Sequence, residues 1–407
     1  MIYSATMRIL LIHNKYQQKG GENVVFEAEC ELLEKNGHTV EKVLFDNLHI
    51  KTSWNKFMAG IKSLYNFDSA AVVEDAIKSF KPDLIHVHNL FPLASPSIFY
   101  VAEKHAVPVI ATLHNYRLIC PSATLFHDGK IYEKSIHTVF PLDPIFQGVY
   151  RNSVIQTASA VLMTGIHKLL GTWKNKVDRY IVLTDFAKRK FLNSSLGVPA
   201  EKMVVKPNFT VDHGSGTYPR EDFFLFIGRL TEEKGIKTVL ECAKISNANI
   251  KIIGDGPLRA EVEHQASIHS NIQYLGFQDK ETINNILKRT KALLFASLWY
   301  EGFPMTILEA FAAGTPVICS KLGGPGEIVE DHISGLHFVP GNAEDLAHKM
   351  LLLADNKGLI ATLGKGARNI FQTKYSEESN YQRLLNLYLE VVRLKNQPVN
   401  EFDVYNR

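Results

Sequence analysis

Twelve apolar runs of strand length alternate with helix-period segments along the chain, and they fall into two sets of six. The first set holds Met7–His13, Thr39–Phe45, Leu84–Asn89, Val107–Asn115, Arg179–Thr184 and Met203–Asn208. The second holds Phe223–Leu230, Ile250–Asp255, Ile272–Phe277, Ala292–Ser297, Pro316–Ser320 and Gly335–Val339. Strands interleaved with helices argue for parallel sheets built from strand–helix–strand units. Between the sets lies Asn208-Phe-Thr-Val-Asp-His-Gly-Ser-Gly-Thr-Tyr-Pro219, whose Gly, Ser, Thr and Pro content reads as a linker. The pattern predicts two doubly wound α/β domains, residues 1–208 and 209–376, with ligands held at strand C-terminal ends in the cleft between them. A last helix pattern, Glu377 to Lys395, follows the second set and could pack on either domain, including back on the first.

Bulk properties narrow the function. A chain of 407 residues exceeds what one core usually serves, and 45% apolar with 21% charged residues excludes general disorder. A net charge of +3, with no Lys/Arg run interleaved with aromatics, gives no reason to expect a nucleic-acid partner. Cys30, Cys120, Cys242 and Cys319 match no zinc or redox spacing, which fits a reducing cytosol. The N-terminal residues carry no basic segment followed by an apolar core, so no signal peptide is expected. The most apolar stretch, Val154 to Leu170, is broken by Gln156, Thr157, Ser159, Thr164 and His167, so no membrane span is expected either.

The segment Ser297 to Glu309 carries the most chemistry. It leaves a strand, turns through Gly302 and Pro304, and enters a helix pattern closed by Gly314, with Glu301 in the turn and Glu309 about one turn into the helix. A helix N-terminus suits an anion such as phosphate, whereas carboxylates beside it suit hydroxyls. Together they point to a sugar nucleotide. Arg229 and Lys234, at the end of one strand and the start of the next helix, form a suitable diphosphate clamp, although surface salt bridging to Glu232 and Glu233 is the plain alternative. Gly254-Asp-Gly-Pro257 reads as a simple strand-to-helix turn, because Arg259 stands where a dinucleotide fingerprint wants Gly. Gly276 and Phe277 end another strand, where exposed backbone groups could pair with a nucleobase.

In the first half, Gly20 and Gly21 precede a helix from Asn23 to Asn36, allowing close backbone approach to a ligand. No Walker Lys-Ser/Thr follows, which disfavours P-loop hydrolysis. His86 and His114 stand at strand ends, as candidate acid, base or hydroxyl-binding groups. A structural role is the preferred reading of His86.

These elements resemble the retaining glycosyltransferases of family 4, which have the two-domain GT-B fold with Rossmann-like domains. The matching residues are Gly20-Gly-Glu22, Pro82-Asp-Leu-Ile-His-Val-His-Asn89, Thr112-Leu-His-Asn-Tyr116, Gly228-Arg-Leu230, Glu233-Lys-Gly235, Gly254-Asp-Gly-Pro257 and the pair Glu301/Glu309. They occur in the family's order across residues 7 to about 390. The resemblance implies transfer of a sugar from a nucleoside-diphosphate sugar to an acceptor hydroxyl. It assigns Arg229 and Lys234 to the diphosphate, with Gly228 beside them and Gly21 closing over it. Glu309 would bind the ribose, and Gly276, Phe277 and Asp255 would lie around the nucleotide. Glu301 and the backbone of Phe303, Pro304 and Met305 would grip the transferred sugar, the amides of Thr306 and Ile307 the distal phosphate, and His114 the sugar near its reacting carbon. Some relatives carry several cysteines after the segment matching Cys120-Pro121; residues 125–149 have none, which removes any expected metal or disulfide there.

No Asp-x-Asp occurs, so metal-independent transfer is expected, with no cofactor beyond the co-substrate. The acceptor would be a glycan or a lipid-linked sugar in surface-polysaccharide synthesis, at a cytoplasmic site open to the inner face of the plasma membrane. Residues 144–177 contain no Asp or Glu but carry Arg151, Lys168, Lys174 and Lys176, a composition suited to an anionic membrane. Trp54, Phe57, Met58, Ile61, Leu64 and Tyr65 fall at helical spacing in a second such segment, and ordinary core packing is the plain reading of both. Competing functions are a GT-B sugar-nucleotide epimerase or phosphorylase, a non-catalytic sugar-nucleotide sensor and, more remotely, an NAD-dependent dehydrogenase. The last lacks a Gly-x-Gly-x-x-Gly turn after the first strand.

Overall fold

The computed structural model describes residues 6–15, 21–47 and 53–396, the side chains of 53–57 excepted. In the first half the strands are β1 (Arg8–Lys15), β2 (Thr39–Asp46), β3 (Leu84–Asn89), β4 (Val109–Leu113), β5 (Phe126–His127), β6 (Lys130–Ile131), β7 (Arg179–Val182) and β8 (Met203–Val205). The second half contributes β9 (Phe224–Ile227), β10 (Ile250–Ile253), β11 (Ile272–Tyr274), β12 (Leu293–Phe295), β13 (Val317–Ser320) and β14 (Gly335–Phe338). Two six-stranded parallel sheets result, in the orders β2-β1-β3-β4-β7-β8 and β11-β10-β9-β12-β13-β14. This is the GT-B architecture of two Rossmann-like sheets covered by helices. Each of the twelve apolar runs coincides with one of these strands, although β1 and β2 continue one or two residues past their runs. Several runs overshoot, because the strands end one to three residues earlier and the residues beyond form the loops that line the cleft.

Period-2 alternation divides β1 between two cores. Leu10 and Ile12 pack with Val73, Ile77 and Phe80, whereas Ile9 and Leu11 pack with Phe26, Leu33 and Leu384. Three helices of the first half start on side-chain caps: Asn66 accepts from the Asp68 amide, Ser153 from Gln156 and Thr184 from Ala187. The β5–β6 hairpin is not foreshadowed by the apolar pattern, because its two-residue strands are too short to show a period.

After β14 the chain passes through two helices and a five-residue π turn, Phe371–Tyr375, and then returns to the first half as the helix Glu377–Asn396. Tyr381, Leu384, Leu385, Tyr388 and Val391 bury themselves against Met7, Ile9, Leu11 and Phe26. Asn380 Nδ2 donates to the Pro207 carbonyl at 2.6 Å, and Arg179 pairs with Glu390 at 2.7 Å.

Candidate active site

Each sheet reverses its strand order once. In the second, β10 lies on one side of β9 and β12 on the other; in the first, β2 and β3 flank β1 in the same way. Loops that leave neighbouring strands in opposite directions open a crevice at their C-terminal ends. Both crevices face one cleft of about 660 Å³, lined from the first half by Gly21, His114, Arg117 and Tyr150 and from the second by Gly228, Arg229, Lys234, Glu301 and Phe303 to Thr306. That volume falls within the range of about 300–1,000 Å³ usual for small-molecule sites.

The loop after β9 supplies the cations and the loop after β12 the carboxylate. Glu301 is buried, and its Oε1 accepts from Lys234 Nζ at 2.5 Å, Trp299 Nε1 at 2.7 Å and Ser297 Oγ at 2.8 Å. Its Oε2 makes no hydrogen bond among the described residues. Arg229 is exposed at the cleft and forms no ion pair among the described residues. The helix Met305–Ala312 begins at Pro304 with no side-chain cap, and Met305 and Thr306 line the cleft. The Ile307 amide, expected at a phosphate, already donates to the Pro304 carbonyl at 3.2 Å, and the Ile307 side chain is buried in the core.

Other expected donor-site residues lie outside this cavity. Glu309 sits four residues past the helix start, about 6 Å further along the axis. It lines a separate pocket of about 10 Å³ beside Asn284 and Lys288, and burial raises its pKa. Asp255 is exposed and its Oδ1 accepts from the Gly256 amide at 2.8 Å. Gly254 and Gly256 do more than turn the chain: a Cβ on Gly254 would lie 1.8 Å from the Gly228 carbonyl oxygen, and one on Gly256 2.7 Å from that of Leu230. Only glycine lets these two loops touch. The Gly276 carbonyl accepts from the Gly254 amide at 2.9 Å, and the Phe277 ring beside it is 81% exposed. Gly20 lies outside the described residues.

Behind His114 stands a buried polar chain that the sequence did not disclose. Glu29 Oε2 accepts from Lys206 Nζ at 2.8 Å, and Oε1 lies 3.1 Å from both His88 Nε2 and His86 Nδ1. Burial pushes the Glu29 carboxyl up, but the Lys206 ammonium and the two histidines outweigh it and hold the group well below the usual carboxylate range. Glu29 is therefore an acceptor only, and His88 must donate to it through Nε2. Burial and the neighbouring His86 push His88 down to about 4, so it is neutral and its Nδ1 is an acceptor. His114 Nε2, 3.1 Å away, must then donate to that atom. His114 is also held well below its ordinary pKa by burial and by His88. Its Nδ1 is left as a hydrogen-bond acceptor, suited to a hydroxyl. His86 is fully buried between Tyr388 Oη and Thr112 Oγ1, each at 2.7 Å, a structural place. Glu29, His86 and His88 have metal-ligand spacing, but the ammonium already on Glu29 opposes a cation there. A sequence signal for His88 existed: His86 and His88 are two apart in one strand and so share a face.

A model described as Glycosyltransferase Family 4 matches residues 16–212, and one described as Glycosyl transferases group 1 matches residues 210–370. Two uncharacterised glycosyltransferases of Methanocaldococcus jannaschii are similar. One is 28% identical over 338 residues, covering 83% of each chain; the other is 31% identical over 316 residues, covering 76% of this chain and 75% of its own. The chain belongs to the group 1 glycosyltransferases. Among solved structures, the glycosyltransferase is similar to Anabaena HepE in complex with UDP, with a TM-score of 0.65 at 17% identity over 94% of this chain and 100% of that one. At that identity the likeness concerns the fold. The cleft of the glycosyltransferase is also closed by contacts the sequence left unread. A Cβ on Gly302 would lie 2.5 Å from the His114 carbonyl oxygen, the Tyr300 and Phe186 rings are 4.7 Å apart, and Phe126 of the hairpin meets Trp299 edge-on at 6.2 Å.

Proposed function

We propose that this glycosyltransferase moves a sugar from a nucleoside-diphosphate sugar to a hydroxyl of a glycan or lipid-linked acceptor, retaining the anomeric configuration and using no divalent metal. The observation that carries this reading is the placement of Arg229, Lys234 and an uncapped helix start on one wall of the cleft, beside the oriented carboxylate of Glu301. Breaking the sugar–phosphate bond puts negative charge on the departing diphosphate, and fixed cations and helix amides are what stabilise it. HepE binding UDP in the same fold supports a nucleotide donor. Glu301 Oε2 receives a hydroxyl of the transferred sugar, and His114 Nδ1 accepts another. The acceptor oxygen bonds to the anomeric carbon on the face the phosphate leaves, and its proton passes to a phosphate oxygen. Ribose binding by Glu309 and base contacts by Gly276 and Phe277 belong to this reading through the family resemblance, at positions outside the main cavity. The epimerase, phosphorylase and dehydrogenase readings gain nothing from the structure or the relatives.

The acceptor side is proposed to meet an anionic membrane. Among the described residues no helix is long and apolar enough to cross one. The helix Val154–Leu169 leaves Val154, Ile155, Leu162 and Leu169 exposed, next in sequence to the exposed Leu142 and Phe146. The helix Ser53–Leu64 packs beside it, with Ile61 exposed; the Trp54 and Phe57 side chains lie outside the described residues. Sedimentation with anionic but not neutral liposomes is expected, and binding to neither would remove the proposal.

A panel of nucleoside-diphosphate sugars, read by release of the nucleoside diphosphate, should identify the donor. Arg229→Ala and Lys234→Ala should each lower turnover roughly 100-fold or more, the scale of losing one preorganised donor. Unchanged turnover would refute the diphosphate assignment. Activity should survive EDTA, and a loss restored by Mg²⁺ would overturn metal independence.

A further inference from the structure

We propose that Arg117 and Arg151, on the first-half wall of the cleft, form a subsite that reads a phosphate or diphosphate group carried by the acceptor. Arg117 is buried, with its guanidinium carbon 4.0 Å from the Tyr150 ring centroid and 4.7 Å from that of Phe91. Its Nη1 donates to the Pro121 carbonyl, and its amide is held by Asn115 Oδ1 at 3.0 Å. The Arg151 guanidinium lies 5.3 Å from the same Tyr150 ring, and both arginines line the cleft. Neither forms an ion pair among the described residues. A buried guanidinium without a counter-ion is costly, and two sharing one tyrosine repel each other until an anion joins them.

Backbone geometry gives a second, independent indication. Arg151 and Asn152 stand at φ +55° and +50°, consecutive non-glycine residues in the left-handed region. This kink, between the helices Asp143–Gln147 and Val154–Leu169, is what sets Arg151 at the cleft. Strain of that kind persists where the surroundings hold it, and it concentrates at functional sites. Ser122 and Thr124 add hydroxyl groups to the same wall. The carboxylates on the cleft are otherwise engaged: Glu22 accepts from Asn115 Nδ2 at 2.9 Å, and Glu301 binds Lys234.

The assignment to the acceptor rests on the transfer reading above. The donor diphosphate is served by Arg229 and Lys234 on the opposite wall, so an anion held by Arg117 and Arg151 belongs to the second substrate. A planar guanidinium fork matches phosphate oxygens bidentately, which favours phosphate over a neutral hydroxyl. The same chemistry covers a lipid diphosphate and a free phosphate.

Calorimetric titration of a protein carrying Arg229→Ala and Lys234→Ala separates the two walls. Octyl diphosphate should still bind it, and octyl glucoside should bind much more weakly. Adding Arg151→Gln, at the exposed member of the pair, should weaken octyl diphosphate roughly 10-fold or more without lowering the thermal midpoint. Inorganic pyrophosphate binding as tightly as octyl diphosphate would place recognition in the phosphates alone; tighter binding of octyl diphosphate would assign the site to a lipid-borne group. Octyl diphosphate binding no better than octyl glucoside, or unaffected by Arg151→Gln, overturns the proposal. Donor hydrolysis in water reports on the other wall: its fall in Arg229→Ala tests the donor reading with no acceptor present, so the two readings fail separately.

Discussion

Glu301 Oε1 takes hydrogen bonds from Lys234, Ser297 and Trp299, and each donor withdraws electron density that a carboxylate would need to attack a sugar carbon. The group is placed to orient rather than to bond covalently. Glu301→Gln should therefore lower kcat, by about 10-fold or more, with a small change in donor KM; a trapped glycosyl–enzyme adduct at Glu301 would contradict this. Acid stability follows from the chain of groups behind His114. Burial holds His88 and His114 below the histidine value of about 6.5. As pH falls through about 6.5 the unfolded chain binds protons at these positions while the folded protein does not, until about 4 for His88. The stabilisation is complete above pH 6.5 and is lost progressively between about 6.5 and 4. Denaturation midpoints at pH 7.5 and 5 should fall more steeply for the wild type than for His88→Gln, and parallel slopes would refute the assignment. The placement of Arg229, Lys234, Glu301 and His114 at the cleft was legible because each stands at the C-terminal end of a strand-like run or in the loop after it, where α/β ligands bind. Glu29 and Lys206 were not: one looks like any acid on an amphipathic helix and the other like any lysine after a strand, and only folding brings them within 2.8 Å.

Elements long enough to repeat a period announced themselves. The helix Glu377–Asn396 did so, but its docking face was not legible, because its partners lie in Met7 to Leu11 and in the helix Gly21–Lys35. Its hold on the first half should be measurable. Leu384 is fully buried, and Leu384→Ala should cost about 2–5 kcal/mol of stability, as large-to-small core changes do. Tyr388→Phe keeps the ring and removes the bond to His86, so it should cost about 1 kcal/mol. Equal losses from the two variants would show that the helix is held mainly by its polar bond.

At the scale of the whole molecule, parallel strands buried on both faces write themselves as apolar runs, which is why both sheets could be read directly. Their mutual placement could not, since it depends on single close approaches such as Gly302 against His114. A methyl group at Gly302 meets backbone that cannot turn aside, so the halves must part by a fraction of an ångström or more. Gly302→Ala should lower kcat about 10-fold or more while leaving the thermal midpoint nearly unchanged, because small misplacements of reacting groups are expensive. Wild-type kcat in that variant would show that transfer tolerates a looser cleft. The returning C-terminal helix also imposes an order on biosynthesis. Pro207 and its partner Asn380 are 173 residues apart, a distance a ribosome covers in roughly ten to thirty seconds. For that interval the nascent first half exposes the strip formed by Met7, Ile9, Leu11 and Phe26, whose lid is still unsynthesised. Until the second half is complete, that strip is apolar surface of the kind that chaperones shield.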